Sequence, residues 1–232
     1  MVLEIGPGLG GLTEALATRA GRLVAIEKDR DLIAPLRRRV PGAEIIDGDA
    51  LDLDWHRLLG RPARWLVAGN IPYNITSPLI DRALQPPRPA RIVFLVQREV
   101  ADRLAAAPGG KAYGALSVGV QAVAGVDRLF RVSAGAFQPP PEVDSALVRI
   151  TPRENPMLPD TEAPRFRRFV VGIFGFRRKQ ISRGLRELGG WAAEQAGSCL
   201  ASTRIEGSRR PETLNPEEFL ALFRAWSDHG GA

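Results

Sequence analysis

In the first half of the chain, short apolar runs alternate with stretches whose apolar residues recur at helical spacing. Residues 2–5, 23–26, 43–46, 65–68 and 91–96 carry too few polar positions for strands that face water on one side. They read as strands buried on both faces of a parallel sheet. Between them, Leu12, Ala15, Leu16 and Ala20 follow a helical period, and Asp29-Arg30-Asp31 caps a helix that runs to Arg39. Residues 77–84 and 97–107 also read as helices. Strand alternating with helix predicts an α/β fold with a doubly wound sheet. Residues 113–124 suit a helix slightly better than a strand. The runs 129–132 and 145–150 have no helix between them, which predicts an antiparallel pair at the end of the sheet. A proline-rich stretch, 151–164, reads as a linker. From Arg165 onward only helix-period apolar positions follow, broken at Gly189-Gly190 and Gly207. The pattern predicts an α/β domain over 1–152 and a small all-helical domain over 153–232.

The residues that close the strands carry the chemistry, because ligands of open α/β sheets bind beyond the carboxyl ends of the strands. Behind the first strand, Gly6-Pro7-Gly8-Leu9-Gly10-Gly11 opens onto a helix, the first unit of a nucleotide-binding domain. Gly6, Gly8 and Gly11 satisfy a dinucleotide spacing, so a NAD-dependent oxidoreductase is one reading. Three acids point elsewhere. Glu4 lies in the first strand, where a carboxylate can face an ammonium or its waters; Glu27 ends the second, and Asp49 follows the third. S-adenosylmethionine has no pyrophosphate. It needs close backbone approach for its methionine end, a carboxylate for the ribose diol and an acceptor for the adenine amine. Gly6/Gly8/Gly10, Glu27 and Asp49 supply these in chain order. Singly, each acid reads as a helix cap or an exposed loop acid; after successive strands in this order, the cofactor reading prevails. The fourth strand leads into Asn70-Ile71-Pro72-Tyr73. An amide, fixed carbonyls and a ring suit a flat heterocycle held by its exocyclic amine, whereas the plain reading of Pro-Tyr-Asn is a turn with a packed tyrosine.

Leu3-Glu4-Ile5-Gly6-Pro7-Gly8-Leu9-Gly10, Gly48-Asp49-Ala50, Gly69-Asn70-Ile71-Pro72-Tyr73-Asn74-Ile75, Phe137-Gln138-Pro139-Pro140-Pro141-Glu142-Val143-Asp144-Ser145 and Phe176-Arg177-Arg178-Lys179 resemble the ribosomal RNA adenine dimethyltransferase family. The bacterial KsgA-type branch is the nearest in pattern. The resemblance spans essentially the whole chain. It implies a Rossmann-like class I S-adenosylmethionine-dependent methyltransferase fold. The implied reaction is dimethylation at N6 of two adjacent adenosines near the 3′ end of small-subunit (16S) rRNA, late in subunit assembly. It also implies that the cofactor is held by Glu4, Gly6, Gly8, Gly10, Glu27, Asp49, Ala50 and Asn70. The Asn70 oxygen and the Ile71 or Pro72 carbonyl would accept the two N–H bonds of the target amine. Related macrolide-resistance methyltransferases of large-subunit rRNA share the first half of the pattern. The triple proline with Val-Asp-Ser, and Arg-Arg-Lys, favour the small-subunit branch. A central strand at residue 2 predicts a segment in front of it. The family carries a Gln-Asn/His-Phe-Leu segment there that helps enclose the cofactor; this sequence departs from the pattern, which bears on cofactor affinity and on activity of the chain as written.

The target base must leave any stack to reach such a site. Tyr73 and Phe137 are the candidates for sandwiching it, Phe137 because three following prolines hold its loop rigid; base–aromatic stacking contributes roughly 1–3 kcal/mol per base. Charge adds a second feature. The chain has 32 Lys+Arg against 26 Asp+Glu, a balance that permits an anionic partner. Residues 165–186 hold eight basic residues and no acidic one. Arg165, Arg168, Arg177, Arg178, Lys179 and Arg183 are the candidate contacts to the rRNA backbone, giving affinity rather than sequence choice. Phe166, Phe169, Val170, Ile173 and Phe174 at helical spacing read as core. Arg37-Arg38-Arg39 is either an extension of the patch or a plain exposed helix end, and Asn215 caps a structural helix. A single cysteine excludes an internal disulfide framework, and two distant histidines give no metal-ligand spacing. No transmembrane span or signal peptide is legible, so a soluble, monomeric cytoplasmic protein acting on a pre-ribosomal particle is expected. Two alternatives stay open: an assembly factor that binds pre-subunits with little catalysis, and methylation of DNA adenine, since the pocket residues do not separate RNA from DNA.

Overall fold

The computed structural model describes residues 1–231. Strands β1 (Val2–Ile5), β2 (Leu23–Glu27), β3 (Glu44–Asp47), β4 (Leu66–Asn70) and β5 (Arg91–Gln97) run parallel to their neighbours. β6 (Ala124–Val132) and β7 (Ser145–Pro152) complete one sheet in the order β3-β2-β1-β4-β5-β7-β6, with β7 antiparallel to β5. Every residue of β1 and β2 is buried, as expected for strands covered on both faces. The intervening helices are α1 (Gly11–Ala17), α2 (Arg30–Arg39), the short α3 (Trp55–Leu58) and α4 (Thr76–Ala83). Ile33 and Leu36 of α2, with Val40 just past its end, pack against Ala25 and Ile45 of the sheet. The order of the strands reverses between β1 and β4, the switch point beyond whose carboxyl ends ligands of open α/β sheets bind.

Two compact units emerge: Met1–Ala101 with Gly125–Pro152, and Asp102–Ala124 with the chain from Arg153 onward. The division falls inside α5 (Arg98–Leu104). The second unit holds α6 (Ala115–Gln121), α7 (Ala163–Gly175), α8 (Ile181–Gly189), α9 (Ala193–Ala201) and α10 (Pro216–Asp228). One junction falls at 152/153, and residues 102–124 pack with the later helices rather than with the sheet unit. α6 lies against α7 and α10, and the buried Tyr113 hydroxyl donates to the Leu214 carbonyl at 2.8 Å. α7 buries Phe166, Phe169, Val170 and Ile173, with Phe166 and Phe169 in ring contact with Phe223 of α10, and Phe174 stacks on Phe219. A reciprocal cap starts α10: Asn215 Oδ1 accepts from the Glu218 N–H at 2.7 Å, and Glu218 Oε2 accepts from the Asn215 N–H at 2.8 Å.

Candidate functional site

The ends of the parallel strands bring the expected acids and glycines to one edge. Gly6, Gly8 and Gly10 have φ of 65°, 56° and 88°, the left-handed region that a side chain resists. Gly11, the third position of the dinucleotide spacing, is instead the first residue of α1, so the special backbone falls on the set 6, 8, 10. Glu27 holds this loop: its Oε2 accepts from the Gly8 N–H at 3.0 Å and its Oε1 from the Asp29 N–H at 2.8 Å. Arg39 braces the far side through the Leu9 carbonyl at 2.6 Å and Glu14 at 2.7 Å. That defines Arg39 as a buttress of the loop. Arg37 donates to the Ile45 carbonyl of β3, so two of the three arginines closing α2 serve local structure.

Glu4 stands apart from the other acids. It is 1% exposed, and its Oε2 has no hydrogen-bond partner among the described residues. Burial raises its carboxyl to about 7, the Thr13 hydroxyl pulling down and the nearby Glu27 carboxylate adding to the rise. A buried carboxyl with an open oxygen, beside a glycine loop, fits a ligand ammonium. Beyond β3, Asp49 Oδ2 accepts from Lys28 Nζ at 2.8 Å and Oδ1 from the Leu51 N–H at 2.9 Å. These bonds, the Lys28 one foremost, hold its carboxyl below the ordinary range. The Ala50 carbonyl is taken by the indole N–H of buried Trp55 at 2.7 Å, which leaves its N–H as the group it can offer. Lys28 and Trp55 had no signal in the sequence: one reads as a surface cation, the other as core.

β4 places Asn70 at this edge, exposed, with its neighbour Gly69 packed so closely on β1 that a Cβ there would lie 2.5 Å from the Ile5 carbonyl. Gly6 faces the Asn70 backbone carbonyl at 3.9 Å by the same measure, so the glycine loop lies beside the end of β4. The Pro72 carbonyl already accepts from the Ile75 N–H and the Thr76 hydroxyl, each at 3.2 Å. Of the two carbonyls expected to serve the target amine, Ile71 is the one without such engagement. Half-buried Tyr73 bonds Ser145 through its hydroxyl at 3.2 Å.

Ser145 pairs with Gln97 at the carboxyl end of β5, so the loop between β6 and β7 returns to the same edge. It carries half-buried Phe137. Neither Tyr73 nor Phe137 makes a ring–ring contact among the described residues. Asp144 fastens this loop: its carboxylate accepts from the Ala134 N–H at 3.0 Å and from Arg131, with Arg98 at 3.9 Å. These contacts, led by the Ala134 N–H, keep its carboxyl low. A cleft of about 350 Å³ lies between this loop and the start of α5.

The six expected RNA contacts do not form one row. Arg165 and Arg168 sit near the start of α7, while Arg177, Arg178 and Lys179 follow its end, about 14 Å further along the axis at 1.5 Å per residue. Arg165 lies over the Phe223 ring and donates weakly to the Gly231 carbonyl, and Arg183 pairs with Glu187 one turn on. Arg168, Arg178 and Lys179 are exposed. No cluster of metal-ligating side chains occurs among the described residues, and no helix there is long and apolar enough to cross a membrane.

An open parallel sheet with a glycine loop after β1, acids after β2 and β3 and a last strand inserted antiparallel defines a Rossmann-like methyltransferase. The profile of the family described as ribosomal RNA adenine dimethylase matches residues 1–227. The chain belongs to that family, whose members dimethylate adenine in ribosomal RNA. It is 45% identical to ribosomal RNA small subunit methyltransferase A of Geobacter metallireducens, over 99% of this chain and 86% of that protein. Identity to the protein of the same name from Myxococcus xanthus is 40%, over 97% and 80%. Among solved structures, a dimethyladenosine transferase from Plasmodium falciparum superposes with a TM-score of 0.82 at 26% identity, covering 99% of this chain and 90% of that one. The 23S rRNA methyltransferase ErmE superposes with 0.72 at 27% identity, covering 97% and 90%.

Proposed function

We propose that the chain dimethylates N6 of two adjacent adenosines near the 3′ end of 16S rRNA, acting in the cytoplasm as a monomer on a pre-ribosomal small subunit, with S-adenosylmethionine as methyl donor. One observation carries the reading. Buried Glu4 presents an unpartnered oxygen beside a glycine loop that is itself a neighbour of the Asn70 backbone at the end of β4. The residues fit the cofactor. Glu4 and the loop of Gly6, Gly8 and Gly10 suit its methionine end, Glu27 its ribose, and Asp49 with the Ala50 N–H its adenine. When bound, it supplies a methyl group on an electrophilic sulfonium. The unit of residues 1–101 and 125–152 is then the cofactor domain, and the basic turns from Arg165 onward hold the RNA backbone.

Asn70 and the Ile71 carbonyl do the work on the target. An adenine amine is a weak nucleophile because its lone pair is delocalised into the ring. Accepting both of its N–H bonds localises that pair on nitrogen and fixes its direction, so the rate comes from orientation and electrostatics. No general base is required, since the methylated amine loses its proton to water. Tyr73 and Phe137 would stack on the extruded base.

The test is transfer of labelled methyl groups from S-adenosylmethionine to small subunits that lack the modification. The chain should yield labelled dimethyladenosine, and Asn70→Ala should lower the rate by about 10²–10³-fold, the loss expected for one removed transition-state hydrogen-bonding group. Equal rates for both would refute the assignment. Subunit binding without transfer would leave an assembly factor.

A further inference from the structure

The turn between α5 and α6, Pro108-Gly109-Gly110-Lys111, is exposed yet firmly tied within the second unit. The Gly109 N–H donates to the Glu212 carbonyl at 2.6 Å. Next to it, the fully buried Tyr113 anchors the turn's exit to the Leu214 carbonyl at 2.8 Å. The third tie is Arg177: its Nη2 donates to the Lys111 carbonyl at 3.0 Å while its Nε faces Glu212 Oε2 at 3.9 Å. Gly109 has φ of 81°, which lets the chain reverse tightly enough for all three. Arg177 therefore directs one guanidinium N–H inward to a backbone carbonyl, with the Glu212 carboxylate nearby. The consequence is that Lys111 is drawn against the Arg177-Arg178-Lys179 turn, although 66 residues separate Lys111 from Arg177. Its own side chain is exposed, and no carboxylate pairs with it among the described residues.

We propose that this turn is part of the RNA-binding surface: Lys111 contacts a backbone phosphate together with Arg178 and Lys179, and Arg177 is the strut that positions it. The inference rests on the rRNA reading above and adds to it a contact from a distant part of the chain. Phosphate is the ligand that a pinned, one-signed group of cations suits. Lysine serves phosphate as a point charge, and a turn held by three bonds loses little freedom when it binds. Arg177 is a positioning residue, because its Nη2 bond to the Lys111 carbonyl ties the turn to the end of α7.

The experiment is binding of unmethylated small subunits by the full chain, by Lys111→Gln, by Arg177→Lys and by the double variant, from about 50 to about 200 mM KCl. Lys111→Gln should weaken binding about fivefold at the low-salt end and flatten the salt dependence by about 0.7–0.9 in log–log slope, the counterion release of one phosphate. Arg177→Lys should weaken it as much although the charge is kept, because an ammonium cannot hold both partners of the fork. The double variant should equal either single one. Unchanged affinity and slope in Lys111→Gln would overturn the contact. Additive losses in the double variant would overturn the strut and make Arg177 a phosphate contact itself. Salt-independent binding, or none, by the unaltered chain would take down the rRNA reading as well.

Discussion

Replacing Glu4 by glutamine should make the protein more stable at neutral and alkaline pH while weakening its hold on the cofactor. The buried carboxyl is raised from 4.5 to about 7, chiefly by loss of water around it. In the unfolded chain the same group ionises near its ordinary value. Between those two values the unfolded state holds fewer protons than the folded one, so stability falls as pH rises through this window and levels off above it. At about 1.36 kcal/mol per pH unit, the window from 4.5 to about 7 corresponds to a loss of about 3 kcal/mol. Glutamine has the same shape and does not ionise. The two proteins should therefore match near pH 4.5 and diverge to about 3 kcal/mol by pH 8, or roughly 6–12 °C in Tm for a chain of this length. Urea unfolding of both proteins across this range measures the difference directly. A constant difference between them at every pH would refute the reasoning, because it would mean that Glu4 is solvated or already paired. Calorimetry supplies the other half: at a pH below 7, binding of a ligand ammonium by the unaltered protein should release a proton, and Glu4→Gln should release none at this site.

Two further outcomes test the supports of the site and of the second unit. Asp144→Ala frees the Ala134 N–H, Arg131 and Arg98 together, so the Phe137 loop should loosen and kcat/KM for methyl transfer should fall roughly tenfold or more, with cofactor affinity unchanged; a loss confined to cofactor affinity would contradict this role. Asn215→Ala removes the acceptor that caps α10 and should cost about 1 kcal/mol, read as a fall of roughly 2–4 °C in the Tm of the second unit, and no change would mean the cap is redundant.

β1 and β2 were legible because strands buried on both faces are nearly all apolar, Glu4 and Glu27 being the exceptions, whereas β4 leaves Leu66 and Asn70 exposed and was legible from its apolar run alone. β6 was legible only in its last residues, 129–132. It is an edge strand whose Asp127 to Arg131 are exposed, and no burial constrains its composition. The place of residues 102–124 had no local signal at all. It is set by packing such as that of Tyr113 on Leu214, which lies 101 residues away. The same contrast runs through the site. Sequence shows which side chains stand at the strand ends, because position after a strand is a local property. What their atoms already bind is a property of the folded chain: Glu27 accepts from Gly8 and Asp29 with a lone pair left on each oxygen, the Pro72 carbonyl accepts twice within its own turn, and Arg177 donates to Lys111. Among the described residues, Glu4 Oε2 remains without a partner in the strand that leads into the glycine loop, as do Thr13 Oγ1, Glu212 Oε2 and Ser227 Oγ elsewhere. A fold rarely leaves a buried polar atom unsatisfied, since an orphaned group costs free energy that folding must offset elsewhere. An open oxygen at the base of a cofactor loop is therefore a stronger pointer to a ligand than any of the glycines that first drew attention to it.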